Sequence, residues 1–241
     1  MAHAAFAPAR RAAHMRAMLA DHVLFIDAEA LVVDKPSGLP VDPPRDGSLS
    51  VENHLESLSF GFKRWPSPVH RLDRDTSGCL LLARHPKAHR RFAQAFESGE
   101  VEKTYVAVVE GVPAEQAGVI DLALDKTSTR EAGWRMVPAA GGKPALTRWR
   151  LLDARDGRAL IAFSPETGRT HQIRVHAAAG LGAAIVGDPI YGRAGAPMLL
   201  HALKLVLPRE GKRPVEAVAP LPERFAAAGF ALPEGYLDAG G

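Results

Sequence analysis

Two runs rich in apolar side chains, "LTRWRLL" (146–152) and "RALIAF" (158–163), stand on either side of Asp156-Gly157. An Asp-Gly pair accepts two successive left-handed backbone conformations, which closes a tight type I′ turn between antiparallel strands. Few local signals constrain a fold more, because the turn also sets the register of everything it joins. Other short apolar runs repeat the pattern. "HVLFID" (22–27) and "ALVVD" (30–34) are separated by an Asp-Ala-Glu turn, and "CLLLAR" (79–84), "KTYVAVVEG" (103–111) and "LLHALKLVL" (199–207) read as further strands.

Helical signals are fewer. Val51, Leu55 and Leu58 recur at helical spacing, so 49–58 reads as a helix. Pro86 suits the first turn of another, with Phe92, Ala95 and Phe96 on its apolar face and Gly99 at the stop. "THQIRVHAAAG" (170–180) reads as a third, capped by Thr170 and ended by Gly180. A strand-rich chain joined by hairpins implies an α+β fold, with a central mixed, largely antiparallel sheet and flanking helices. No glycine-rich dinucleotide fingerprint and no phosphate-binding P-loop is present in the sequence.

With 241 residues, 46% of them hydrophobic, the chain is long enough for a substantial core. Residues 1–20 read as an N-terminal, helical extension and 21–241 as a single domain. The extension is Ala- and Arg-rich, which superficially resembles a transit peptide; a short amphipathic helix is the preferred reading. One cysteine, Cys79, sits inside an apolar run and reads as a small buried hydrophobe in a reducing, cytoplasmic setting. No apolar run reaches the length of a membrane span. The net charge is only +3, but basic residues cluster in "ARRAAHMR" (9–16) and "ARHPKAHRR" (83–91) without an acid among them. That tilts the reading toward an anionic partner, with Arg84, Lys87, Arg90 and Arg91 as candidate phosphate contacts.

Ionisable groups concentrate elsewhere too. "HRLDRDTSG" (70–78) places two carboxylates, two guanidiniums and an imidazole in one connection. "TGRTHQIRVH" (167–176) places His171 and Arg174 at i, i+3, on one face of a helix bordering a wet cleft. Tyr105 interrupts an otherwise aliphatic strand.

Together these strings, with "VVDKPSGLPV" (32–41), "VGDPIYG" (186–192), "LLHALKL" (199–205) and "APLPERF" (219–225), resemble the RluA-like family of RNA pseudouridine synthases. The resemblance runs from about residue 23 to 225. It implies a sheet with a catalytic cleft between two halves, and isomerisation of uridine to pseudouridine in ribosomal or transfer RNA. It implies that Asp73 is the catalytic aspartate, that Tyr105 packs against the target base and that Arg174 pairs with the aspartate. Arg71 would help displace the nucleotide, and Arg169, His171, Gln172 and Leu200 fall among substrate-binding positions. No cofactor or metal is expected, nor a membrane partner, and the chain is expected to be a monomer. The S4-type RNA-binding domain of many relatives is expected to be absent. Ala183-Ala184 stands where many relatives have His-Pro, in a segment one residue longer.

The chemistry explains the residue types. The N-glycosidic bond breaks, the base rotates and a C–C bond forms, so the base must first leave its stack. A stacking, phosphate-binding arginine suits that step. A carboxylate at the sugar carbon, at the base, or as proton acceptor would serve, if a cation keeps it ionised. Rival readings fit less well. A non-catalytic RNA-binding module needs no Asp73. In a zinc hydrolase, His85 and His89 lack the adjoining Glu, and His171 and His176 lie on different helix faces. A glycosidase pair of Asp73 and Asp75 meets the objection that Asp75 is well explained as a turn residue.

Overall fold

The computed structural model describes residues 19–130 and 133–238. The basic stretch 9–16 and nearly all of the 1–20 extension lie outside them. In chain order the strands are β1 (Val23–Ile26), β2 (Ala30–Lys35), β3 (Ser67–Pro68), β4 (Ser77–Ala83), β5 (Glu102–Glu110) and β6 (Ala117–Asp121). Then come β7 (Leu124–Thr129), β8 (Gly133–Pro138), β9 (Leu146–Arg155), β10 (Arg158–Pro165), β11 (Leu200–Leu207) and β12 (Val215–Val218). The helices are α1 (Pro86–Glu97), α2 (Gln172–Val175) and α3 (Glu223–Ala227); a 3-10 helix covers Val51–Leu58, and a π turn, His176–Gly180, continues α2.

These elements form two compact units. Of the described residues, the first holds those up to Val101 together with Lys204–Ala219, and the second those of Glu102–Leu203 and from Pro220 onward. In the first unit β1 pairs with β2 and β2 with β4, both antiparallel, while the short β3 lies along β4. The β1–β2 turn is held by the Asp27 carboxylate, which accepts from the backbone N–H of Glu29 and Ala30. Every residue of β4 is buried, as expected for a strand covered on both faces. Helix α1 packs Ala88, Phe92 and Ala95 into a core with Val32, Cys79, Leu81, Leu205 and Val215. Pro86 occupies the first turn, the His85 ring accepts from the Ala88 N–H as the cap, and Gly99 takes the left-handed conformation after the end.

In the second unit β5, β10, β9 and β6 follow one another, each pair antiparallel. Asp156 and Gly157 have φ of 51° and 71°, so the turn is the one its sequence demands. The alternate residues Ala107, Val109, Ile161 and Phe163 form a core with Ile173, Ala177 and Leu200. A separate hairpin, β7–β8, carries mostly exposed side chains. All these features make an α+β fold with largely antiparallel pairing.

Two sequence expectations change. The 49–58 segment is a 3-10 helix rather than an α-helix. The 170–180 segment is not one helix with a wet face. His171, not Thr170, precedes the first helical residue, in a left-handed conformation with φ of 53°, and four α-helical residues pass into the π turn. Residues 172–177 are all buried, because their polar side chains find partners inside the protein. Gly180 is needed where the turn ends: a Cβ there would lie 2.5 Å from the Ile120 side chain.

Candidate active site

In the first unit the "HRLDRDTSG" string is fastened from below. His70 accepts from the Leu81 N–H of β4 through Nε2 and stacks on Phe96 of α1, 4.6 Å between ring centres. Leu72 is buried. Asp73 is half-buried, and its carbonyl accepts from Thr76 N–H to close a turn. The next carbonyls are held by the "KPSG" stretch. Gly38 N–H and the Lys35 ammonium both donate to the Arg74 carbonyl, and Ser37 Oγ donates to that of Asp75. Lys35 is fully buried and also donates to the carbonyls of Pro36 and Leu39 at 2.9 and 2.7 Å. The side chain of Asp75 pairs with Arg74 at 3.2 Å. Arg71 projects from the same string with 74% of its side chain exposed and contacts Asp42 at 2.7 Å. Such a pair is weak in water and readily exchanged.

In the second unit Tyr105 stands on β5 opposite Phe163 of β10, half-buried against the apolar core. Arg174 is 5% exposed and enters a two-pronged ion pair with the fully buried Asp188: Nε to Oδ2 at 2.7 Å, Nη2 to Oδ1 at 2.8 Å. Asp188 also accepts from the N–H groups of Ile190 and Tyr191. Burial pushes its carboxyl up, but the Arg174 guanidinium and these two N–H groups outweigh that and hold it below its ordinary value. The Tyr191 ring lies 5.3 Å from the Arg174 guanidinium carbon. Its hydroxyl accepts from Met136 N–H of β8 and lies 3.0 Å from His171 Nδ1. Tyr191 thus touches both Arg174 and His171, although His171 precedes α2 and shares no helix face with Arg174. Trp134 of β8 meets the His171 ring edge-on at 5.1 Å.

Other expected site residues are occupied by the scaffold. Gln172 is buried; its Oε1 accepts from Thr167 Oγ1 and Arg169 N–H, and its Nε2 donates to Leu146 O and Thr147 Oγ1. Arg169 donates through Nε to the Pro144 carbonyl. Leu200 is buried in the core, and its carbonyl accepts from Arg224. The basic run at 83–91 is a correction. Arg84 is buried and donates to the carbonyls of Asp27, Ser59 and Phe60. Arg91 pairs with Glu29 at 2.6 Å. Of the four cations, two belong to the scaffold. His85 is the α1 cap and His89 Nε2 lies 3.1 Å from the Pro68 carbonyl, so the i, i+4 spacing has a structural reason. Asp188 and Tyr191 were not singled out from sequence, although they lie in "VGDPIYG"; only their contacts with Arg174 and His171 mark them.

The fastened Asp73 turn and exposed Arg71 belong to the first unit, and the buried Arg174–Asp188 pair to the second. Residues 29–179 match the family described as RNA pseudouridylate synthase. An uncharacterized RNA pseudouridine synthase of Zymomonas mobilis is 59% identical over 217 residues, covering 88% of this chain and 99% of that one. A ribosomal large subunit pseudouridine synthase D of the same organism is 36% identical over 178 residues, covering 71% of this chain and 56% of that one. Among solved structures, human RNA pseudouridylate synthase domain containing 4 superposes with a TM-score of 0.76 at 26% identity, over 90% of this chain and 95% of that one. The chain belongs to the RNA pseudouridylate synthase family. It is an isomerase that converts uridine to pseudouridine in RNA.

Proposed function

We propose that this isomerase acts on a uridine in structured ribosomal or transfer RNA, with Asp73 as the catalytic carboxylate. The similarity to a ribosomal large subunit synthase favours ribosomal RNA. The observation that carries the choice of Asp73 is the fastening of its turn. Bonds from the Thr76 and Gly38 N–H groups, the Lys35 ammonium and the Ser37 hydroxyl fix the carbonyls of residues 73–75, which positions the Asp73 carboxylate. Fixing a reacting group in this way removes the entropy of finding its geometry.

Tyr105 is assigned to the face of the base and Arg174 to the catalytic cation, pre-set by Asp188. Arg71, exposed and weakly paired, is assigned to the gap left by the flipped nucleotide; its plane stacks and its charge holds phosphate. Gln172 and Leu200 act through the scaffold, Arg169 and His171 nearer the RNA. The reaction is balanced without a co-substrate: one C–N bond breaks, one C–C bond forms, and the proton lost from the base carbon is replaced at the nitrogen. Residues 21–241 are assigned to one catalytic domain acting as a monomer in the cytoplasm, a setting that suits the single buried thiol. Among the described residues no helix is long and apolar enough to cross a membrane.

Replacing Asp73 with Asn tests the assignment. We expect isomerisation to vanish while folding and RNA affinity persist. Turnover by Asp73→Asn, or its loss in Asp75→Asn alone, would move the role to another carboxylate. The target is found by mapping pseudouridine-specific carbodiimide adducts in RNA from cells with and without the gene.

A further inference from the structure

The segment between the 3-10 helix and the "HRLDRDTSG" string turns aromatic rings outward. Phe60, Phe62 and Trp65 are 43%, 38% and 58% exposed, and Lys63 and Arg64 are exposed between them. A connection with no task would carry small polar residues here. The backbone is special as well. Phe60 and Gly61 have φ of 43° and 81° in succession, and a bulky residue is rare in the left-handed region. Arg84 holds this bend from inside. Its Nη2 donates to the carbonyls of Ser59 and Phe60 at 3.1 and 3.2 Å, and its guanidinium carbon lies 3.7 Å from the centre of the Phe62 ring.

The charge is one-sided. From Ser57 through Leu72 the sequence has no Asp or Glu, and it carries Lys63, Arg64 and Arg71. After Trp65 the chain runs along β4, Ser67 and Pro68 pairing with Ala83 and Leu82 and the Val69 N–H donating to Leu81 O. Trp65, at the end of the aromatic segment, is thus joined to Arg71 by a secured stretch no longer than about 22 Å.

We propose that residues 60–65 form a stacking platform for an unpaired stretch of the RNA beside the target uridine. Trp65 and Phe60 stack on bases, and Lys63 and Arg64 contact phosphates. The inference rests on the reading of this chain as an RNA uridine isomerase. Exposed rings on both sides of two cations match single-stranded RNA, in which every nucleotide offers a π-face and a negative charge. An enzyme that unstacks one base gains from a platform that holds its unpaired neighbours.

The test measures the full chain binding a labelled short oligouridine and a blunt RNA duplex of equal length, over a range of salt. Trp65→Ala should weaken oligouridine binding about tenfold and leave duplex binding and thermal stability in place. Trp65→Phe should restore most of the loss. Lys63→Ala with Arg64→Ala should lower the salt slope for the single strand by roughly 1.4. In turnover, Trp65→Ala should raise KM for RNA from cells lacking the gene and keep kcat. Wild-type affinity and salt slope in these variants would overturn the platform and leave the patch to a protein partner or to none. Undetectable oligouridine binding by the wild type would overturn it too. If the wild type forms no pseudouridine in any cellular RNA, the functional reading itself fails, a result distinct from either.

Discussion

Asp188 grips Arg174 with both carboxylate oxygens, and the two side chains meet almost wholly out of water. The pair fixes the guanidinium plane, and the Tyr191 ring beside it narrows that orientation further. Breaking such a pair by removing one partner leaves a buried charge, at a cost of about 3–5 kcal/mol. Asp188→Ala should lower the free energy of unfolding by roughly that amount, read from urea melts. Asp188→Asn retains hydrogen bonding but loses the charge, and should lose kcat more than it changes KM. Equal activity in Asp188→Asn would show that the grip serves stability alone.

Acid should act on the same pair. Asp188 is held below its ordinary value, as are Asp27 and Glu29, where burial raises the carboxyl but backbone N–H groups and Arg209, or Lys212 and Arg91, lower it further. Groups with depressed folded values contribute stability that is complete above the unfolded pKa, about 4, and lost as pH falls through the folded values. We expect denaturant midpoints to be insensitive to these carboxylates above about pH 5. They should fall steeply in stronger acid, with a shallower slope in Asp188→Asn.

His176 adds a second window. The ring is fully buried between Thr147 Oγ1 and the Leu122 carbonyl. Burial depresses its pKa, with smaller opposing effects of the Leu122 carbonyl and Asp121. The folded state then binds fewer protons than the unfolded one, so stability rises with pH below the unfolded value of about 6.5. Acidification from pH 7 to pH 5 should therefore destabilise the wild type, and His176→Asn should flatten that dependence. An unchanged slope in the variant would assign the window to another group.

Lys35 is the internal fastener of the Asp73 turn. Lys35→Met keeps the volume but leaves three carbonyls without this donor, and buried unsatisfied groups cost about 1–3 kcal/mol each. We expect a substantial loss of stability together with a fall in single-turnover rate at saturating RNA. A stability loss with an unaltered rate would separate the fastener from catalysis.

Cys79 should be inert. Burial pushes its thiol up to about 12, and the thiolate is the reactive form. Native protein should not react with a thiol-directed reagent at neutral pH, and unfolded protein should react fully. Rapid native labelling would mean that β4 opens locally.

The local elements were legible because their causes are local. Asp156-Gly157 closes its turn by backbone preference, and Pro86 and Gly99 bracket α1 for the same reason. The "DKTST" part of β7 has no apolar alternation, and pairing with β8 is what makes it a strand. The Asp73 and Arg174 strings stood out by their density of ionisable groups. What each group does depended on distant partners. Arg84 and Arg91 looked like a basic patch because no acid lies near them in sequence, yet Asp27 and Glu29 supply a carbonyl and a carboxylate from more than fifty residues away. Arg174 and Asp188 are 14 positions apart, beyond any helical or strand periodicity. Backbone propensity and hydrophobic spacing act over a few residues, so the sequence by itself determined the strands, turns and reactive strings. Desolvation and charge pairing act through space, so only the tertiary structure decided which cations are buried supports and which stay exposed.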